Sequence, residues 1–181
     1  INLIQFFNGD HPMLERPYNA MNIRFFIMQA HYRGTLDFSN EALIAAEKGM
    51  LKLNAADKLL DKLNGSNSSS ESIPEWIQRC YDAMNDDLNT PKLIAELFDA
   101  SRIINSVKDG HLQLTASDID LLKQNFRMFY YDILGMVPDT AATQGEDVTD
   151  KLMELILEIR QDAKTNKNWG VADMIRNKLT D

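Results

Sequence analysis

The sequence predicts an all-α protein, an antiparallel bundle of helices preceded by a short N-terminal segment. Apolar residues recur at spacings of three and four over most of the 181 residues, which is the period of one face of an α-helix. Alternating runs of β-branched residues, which are typical of strands, are nearly absent. The five prolines fall between the apolar stretches. Helices with one apolar face each can bury it only against one another, which favours a bundle.

The first two predicted helices are separated by a short irregular connector. Residues 19–31 follow Pro17 and are apolar on most sides, which predicts a largely buried helix. Residues 32–38 form the connector, and Ser39 is the predicted N-cap of a helix that extends to about Leu63. One face of this second helix is apolar throughout: Leu43, Ala46, Met50, Leu53, Leu60 and Leu63.

Three further helices follow a serine-rich stretch. Residues 64–71 have nothing to bury and predict a mobile surface loop. Ser72 and Glu75 form a capping-box pattern, with a proline in the first turn, for the next helix. Residues 86–91 and then Thr115 begin the other two helices. The apolar faces of these two are Leu93, Leu97, Ala100, Ile104 and Val107, and Ile119, Leu122, Phe126, Phe129 and Ile133.

The remaining residues predict a second loop and a final helical stretch. Residues 136–147 lack periodicity and form the loop. Beyond it, apolar residues again share one face, with a break near residues 166–168: Leu152, Leu155, Ile159 and Ala163, then Val171, Ile175 and Leu179. We divide the chain into an N-terminal segment, residues 1–38, and a helical bundle, residues 39–181.

The charge distribution distinguishes one end of the chain from the rest. The net charge of -8 by itself argues against a nucleic-acid partner, because phosphate binding draws on clustered lysine and arginine. Residues 160–178 nevertheless carry five basic residues and two acidic ones. This basic segment is therefore the first candidate for a surface that binds an anion.

Several kinds of site lack the residues they need. The glycines form no phosphate-binding loop, and the three histidines are too far apart in sequence to predict a metal site. Cys80 has no disulfide partner, which favours a buried thiol and a cytoplasmic location. No stretch approaches the roughly 18 apolar residues of a membrane span. The pair Asp86-Asp87 directly precedes Asn-Thr-Pro, which is more typical of a helix start than of catalytic carboxylates.

Three stretches in order carry a resemblance to a known family. Residues 18–26 are Tyr-Asn-Ala-Met-Asn-Ile-Arg-Phe-Phe, followed by Ala-His-Tyr-Arg at 30–33 and Leu-Asp-Phe-Ser at 36–39. They resemble the segment that follows the KMSKS signature loop in bacterial cysteinyl-tRNA synthetases. Residues 84–91, Met-Asn-Asp-Asp-Leu-Asn-Thr-Pro, resemble the start of the helical domain named for a DALR motif in related synthetases, with leucine for the commoner phenylalanine.

The third stretch lies at the C-terminal end. Residues 167–179 are Lys-Asn-Trp-Gly-Val-Ala-Asp-Met-Ile-Arg-Asn-Lys-Leu. They are similar to the family's Lys-Asp-Trp-Ala-x-Ala-Asp-x-Ile-Arg-Asp-x-Leu run and depart from it at Asn168 and Gly170. With this stretch, the resemblance extends over essentially the whole chain.

The resemblance implies a part of a larger enzyme that attaches cysteine to tRNA(Cys) using ATP. A piece beginning just after the KMSKS loop fits the opening at Ile1, which lies within an apolar pattern and is not a start methionine. The family's HIGH and KMSKS signatures, its ATP and magnesium site and its zinc ligands would then lie in a catalytic domain outside this chain. We therefore expect no catalytic residue, metal site or cofactor in this chain, which alone should be inactive.

The same resemblance assigns roles to the two predicted parts. Residues 1–38 would be a segment that contacts the tRNA stem, and residues 39–181 a DALR and anticodon-binding bundle of the class Ia type. The expected partners are tRNA(Cys) and the catalytic domain of the same protein. We expect a monomer that does not bind membranes.

Trp169 is the main candidate for contact with the anticodon. Single-stranded bases are commonly bound by stacking on aromatic side chains, while nearby polar groups bond to their edges. Asp173 and Arg176 follow at four and seven residues, so that all three share one helical face. Lys164 takes the place of a frequent arginine and keeps the charge without the planar fork. The alternatives are a core tryptophan and an ordinary Asp-Arg pair within a helix.

Four residues align with the stem-contact region: Arg24, His31, Tyr32 and Arg33. Contacts with phosphates there would position the tRNA without reading its sequence. The alternative is that Arg24 and His31 fasten the first helix to the catalytic domain.

Two other functions remain open from the sequence alone. One is a helical protein-interaction module without a nucleic-acid role, which suits the acidic composition. The other is part of a related ligase that joins cysteine to a small molecule. The Trp-x-x-x-Asp-x-x-Arg pattern argues against the second.

Overall fold

The computed structural model describes residues 2–137, 155–161, 163–165, 169–171 and 173–174. The chain divides into two compact units, Ile1–Val137 and Pro138–Asp181. Every regular element in the described part is helical, which confirms the all-α prediction. No described helix is both long and apolar enough to cross a membrane.

The first unit consists of six α-helices and a short π-helical segment. The predicted helices all occur, with ends displaced by a few residues, and one further helix, α1, had not been predicted. The bounds are α1 Leu3–Asn8, α2 Ala20–Met28, α3 Asn40–Leu60, α4 Ile73–Asn85, α5 Thr90–Lys108, α6 Ala116–Arg127 and the π-helical segment Met128–Ile133.

Most predicted helix starts are made by the side chains expected to make them. Ser39 accepts a hydrogen bond from the Ala42 amide at 3.1 Å, and Thr115 accepts one from Asp118 at 3.2 Å. These bonds satisfy amides that the first turn leaves free. Ser72 precedes α4 as predicted but makes no side-chain capping bond, so the predicted capping box is wrong.

The core of the first unit is formed by the apolar faces of the helices. α3 packs against α2, α5 and α6, and α4 packs against α5 and α6. The predicted faces are buried with few exceptions, and Trp76 fills the interior while its indole N–H donates to the Glu96 carbonyl at 2.9 Å. The largest fully buried side chains are Trp76, Tyr130, Phe25, Phe126, Phe129, Leu43, Leu53, Leu60, Ile73, Leu93, Leu97 and Ile104.

The π-helical segment changes which residues of the last predicted face are buried. Ile133 was predicted to share the face of Phe126 and Phe129, but it is 49% exposed. A π-helix closes its hydrogen bonds from i to i+5 and so contains more residues per turn than an α-helix. The face therefore shifts along the sequence, and Tyr130 and Leu134 are buried instead.

The serine-rich loop is attached to the bundle, contrary to the predicted mobility. Its backbone amides at Ser66 and Ser70 donate to the carbonyls of Leu114 and Gln113 at 2.7 and 2.8 Å. A side chain at Gly65 would place a Cβ 2.6 Å from the Ala116 amide nitrogen, so the loop approaches α6 too closely for any other residue. Hydrogen bonds hold this segment, although it has little apolar surface to bury.

A polar seam joins α3 to α6. Arg127 donates to Asp57 at 2.6 Å and to Asp61 at 2.8 Å, and Tyr131 donates its hydroxyl to Asp57 at 2.8 Å. Lys123 also bonds to Asp61 at 2.5 Å. The hydrogen bonds from Lys123 and Arg127 lower the pKa of Asp61, because they stabilise its charged form.

The second unit contains helical residues at 155–161, 163–165, 169–171 and 173–174. Of its predicted apolar face, Leu155 and Ile159 are 50% and 46% exposed, whereas Ala163 is buried. Of the predicted loop at 136–147, residues 138–147 lie outside the described residues, as do Leu152, Ile175 and Leu179.

Replacing Leu97 by alanine should destabilise the first unit strongly. Leu97 is fully buried on α5, and a cavity at such a site costs about 2–5 kcal/mol. The control is Leu51→Ala on α3, where the side chain is 54% exposed and the expected cost is below about 0.5 kcal/mol. Urea unfolding followed by circular dichroism measures both, and equal losses would contradict the packing described.

Replacing Asp61 by asparagine should reduce the acid sensitivity of the fold. Because the folded pKa of Asp61 is lowered, its contribution is present above the unfolded pKa of about 3.9 and is lost as pH falls through the folded value. Since Asp61 is 50% exposed, solvent screening limits this contribution to about 1 kcal/mol or less. Urea midpoints between pH 7 and 2.5 should fall less steeply in the variant than in the wild type.

Candidate nucleic-acid interface

Three of the predicted stem-contact residues meet at the corner between α4 and α5. Thr90, the first residue of α5, donates its hydroxyl to the Met28 carbonyl of α2 at 2.8 Å, which brings the end of α2 to this corner. At the corner itself, Asp87 and Leu88 have φ values of 57° and 54°. This left-handed backbone is uncommon outside glycine and makes the turn abrupt.

Asp87 organises the side chains that follow α2. Tyr32 donates its hydroxyl to Oδ1 of Asp87 at 2.8 Å, and Nε of Arg33 lies 3.2 Å from Oδ2. Arg33 Nε also donates to the Tyr32 hydroxyl at 2.8 Å, while the His31 ring stacks on Tyr32 with centroids 4.8 Å apart. The bond to Asp87 raises the pKa of Tyr32, since a carboxylate disfavours the phenolate.

This arrangement leaves two of the three side chains accessible to a ligand. The side chain of Arg33 is 69% exposed, Tyr32 is 61% exposed, and His31 is partly buried. An exposed guanidinium beside an aromatic ring suits a phosphate or an unpaired base. Sequence reasoning missed Asp87 as the residue that holds this group.

The neighbouring Asp86 has a structural role. It accepts hydrogen bonds from the Lys92 ammonium at 2.5 Å and from the side-chain amide of Asn89 at 3.2 Å, and these contacts lower its pKa. Asn89 in turn caps α5 by accepting from the Lys92 amide at 3.3 Å. The two adjacent carboxylates thus bond to different partners, and Asp86 and Asn89 both take part in the start of α5.

Arg24 lies in a different environment from the corner. It is exposed on α2, and a Cβ placed on Gly135 would lie 3.0 Å from its Nη1 atom. Gly135 has a φ of 62°, which favours glycine, at the end of the π-helical segment. The structure therefore joins His31, Tyr32 and Arg33 into one group and places Arg24 beside Gly135.

The candidate anticodon residues belong to the second unit. Trp169 is 60% exposed, which disagrees with the alternative of a core tryptophan. Asp173 and Lys164 are also exposed and helical, and the separation of four residues places Asp173 on the same helical face as Trp169. Arg176 lies outside the described residues, so its place on this face stays a prediction.

The described residues contain no ligand set for the zinc that the resemblance implies. No group of three or more histidine, cysteine, aspartate or glutamate side chains in this part of the chain could hold a metal ion. Cys80 is fully buried on α4, and this burial raises the pKa of its thiol to about 12. Such a thiol stays protonated and is a poor metal ligand.

Comparisons with known proteins agree with the helical architecture. Residues 79–137 match the family model of the DALR domain. The chain is 50% identical to the cysteine–tRNA ligase of Porphyromonas gingivalis, 51% to that of Parabacteroides distasonis and 47% to that of Bacteroides thetaiotaomicron. These similarities cover 99% of the chain and 37% of each relative's length.

The fold and the family match define a helical chain that carries a DALR domain. The predicted resemblance to the cysteinyl-tRNA synthetases is confirmed, and the chain corresponds to a little over a third of the length of such proteins.

Proposed function

We propose that this chain is the tRNA-holding part of a cysteine–tRNA ligase and that it recognises the anticodon. The observation that carries the proposal is the 60% exposure of Trp169 on a helix that also presents Asp173. A large aromatic ring in water costs free energy unless a ligand covers it, and bases of single-stranded RNA stack on such rings. The names of the relatives, each a cysteine–tRNA ligase, support tRNA as that ligand.

The proposed contacts divide into two kinds. Trp169 would stack on an anticodon base, while Asp173 and Arg176 would bond to base edges and Lys164 would contact a phosphate. Arg33 and Tyr32, held by Asp87, would contact the backbone of the tRNA stem, as would Arg24. His31 supports Tyr32 from the side.

The rest of the enzyme would supply the chemistry. In this proposal the chain has no catalytic residue, is inactive alone, and depends on another domain for ATP, magnesium and zinc. Leu3, Ile4 and Phe7 on α1 are 57%, 69% and 44% exposed, which supports a contact between α1 and that domain.

Replacing Trp169 by alanine should weaken binding of tRNA(Cys) and reduce discrimination against altered anticodons. Loss of one stacking contact costs about 1–3 kcal/mol. Trp169→Phe is the matched control, because it keeps an aromatic face and should retain most of the affinity. Fluorescence anisotropy with labelled tRNA(Cys), and with the same tRNA carrying a different anticodon, measures both effects.

The two tryptophans allow an independent measurement. Trp76 is buried and Trp169 is exposed. The difference in fluorescence between the wild type and Trp169→Phe is the emission of Trp169. Quenching of this emission by tRNA therefore reports stacking at residue 169 alone. If Trp169→Ala binds both tRNAs as the wild type does, the anticodon assignment is wrong. Salt-insensitive binding of a protein partner, with no binding of tRNA, would instead favour the interaction-module alternative.

Replacing Arg33 by glutamine should weaken binding of all tRNAs to a similar extent. A phosphate contact carries no sequence information, and its loss should lower the slope of log affinity against log salt concentration by about 1. The control is Arg79→Gln on α4, which also removes an arginine ion-paired to carboxylates. Equal effects of the two variants would exclude a specific contact at Arg33.

A further inference from the structure

An open groove of about 700 Å³ lies between α3 and α5. Its floor includes Leu59 and Phe98, which are partly buried and pack against the core. Asn105 and Ser106 add neutral polar groups to its wall. The groove belongs entirely to the first unit and contains none of the predicted tRNA-contact residues.

The groove is strongly basic in an acidic chain. Its basic lining residues are Lys52, Lys58, Lys62, Arg102 and Lys108, whereas Asp109 is the single acidic residue among those that line it. The chain as a whole carries a net charge of -8. Converging cations in a concave surface reinforce one another's field and attract an anion.

Several of these cations are available to an incoming ligand. The ammonium groups of Lys62 and Lys108 have no acidic partner among the described residues. Lys52 lies 6.0 Å from the centre of the Phe98 ring. Arg102 bonds to Asp99 at 2.5 Å but stays 72% exposed, so that the remaining donors of its guanidinium face solvent.

Helix-end electrostatics account for only part of this cluster. Lys58 and Lys108 lie in the last turns of α3 and α5, where a cation complements the helix dipole. Lys52 and Arg102 lie more than a turn before the helix ends, where that effect has faded. The helix dipole therefore does not explain why Lys52 and Arg102 line the same groove.

The dimensions of the groove suit a nucleic-acid strand. Lys52 lies on α3 and Lys62 lies two residues beyond its end, which separates the two positions by about 15 Å at the rise of an α-helix. A strand of RNA carries one negative charge per nucleotide, so a groove of this length accommodates more than one phosphate. Asn105 and Ser106 are also typical donors to phosphate and sugar oxygens.

We infer that the groove between α3 and α5 binds the sugar-phosphate backbone of an RNA strand through Lys52, Lys62, Arg102 and Lys108. The inference rests on the proposed function, because tRNA would be that RNA. It adds a contact independent of base sequence, on a different unit from Trp169. The groove would contribute affinity and position, and Trp169 discrimination.

The test compares two double variants of the 181-residue chain. Lys62→Gln with Lys108→Gln removes two charges from the groove, and Arg79→Gln with Lys123→Gln removes two from α4 and α6. Both change the net charge equally, and circular dichroism with thermal melting verifies that both fold. Binding of tRNA(Cys), and of the same tRNA with another anticodon, is measured by anisotropy between 50 and 300 mM salt.

The groove variant should bind both tRNAs about tenfold more weakly near 0.1 M salt and keep the wild-type ratio between them. Its slope of log affinity against log salt should fall by about 1.5, which corresponds to two lost phosphate contacts. The affinity of the control variant should differ from that of the wild type by no more than about twofold, and its salt slope should be that of the wild type. These results would support the groove as a backbone site.

The remaining outcomes separate the two proposals. If wild-type chain prefers the cysteine anticodon but both double variants bind alike, the groove inference fails and the proposed function stands. If binding requires the groove but ignores the anticodon, anticodon recognition fails and the groove inference stands. If the wild type binds no tRNA, both fail. Polyglutamate serves as a second ligand in the same assay. If the groove variant loses binding of polyglutamate but binds tRNA as the wild type does, the groove is a site for acidic protein and the inference is overturned.

Discussion

Burial of α5 is the constraint on which the first unit depends. Buried residues cover about half of its circumference, at Leu93, Ile94, Leu97, Ala100, Ser101, Ile103 and Ile104. An apolar face this broad needs more than one neighbour, and α3, α4 and α6 pack against α5, while Thr90 ties its first turn to α2. The functional candidates then follow from this packing. The end of α2 reaches the corner at Asp87, and the polar strip left on α5 faces α3 across the groove.

The helices could be predicted because their signal is local and periodic. A face of buried residues repeats every three or four positions whatever it packs against, and Ser39 or Thr115 caps the first turn of its own helix. The differences arise where tertiary contacts override a local pattern. The π-helical segment shifts the buried face past Ile133, and the serine-rich loop bonds to residues more than 40 positions away. No spacing within either segment encodes these choices.

The candidate site was predictable to a similar extent. Resemblance and helical spacing select Trp169, Asp173 and the residues after α2, and the structure adds exposure at Trp169. Asp87 could not be selected in the same way, because it meets Tyr32 only after folding, across 55 positions. The basic groove does have a partial sequence signal, since Lys52, Lys58 and Lys62 cluster in and just after the C-terminal half of α3. The cations of α5 join them only through the packing of the two helices.

Burial of Cys80 has a practical consequence for studying this chain. The chain has one cysteine, and its thiol is enclosed within the core and remains protonated at neutral pH. Thiol-directed reagents need an accessible thiolate, so the native chain is effectively silent towards them. A cysteine introduced on an exposed position of either unit becomes the single reactive handle. Spin labels or fluorophores can therefore follow the two units separately without altering the interior.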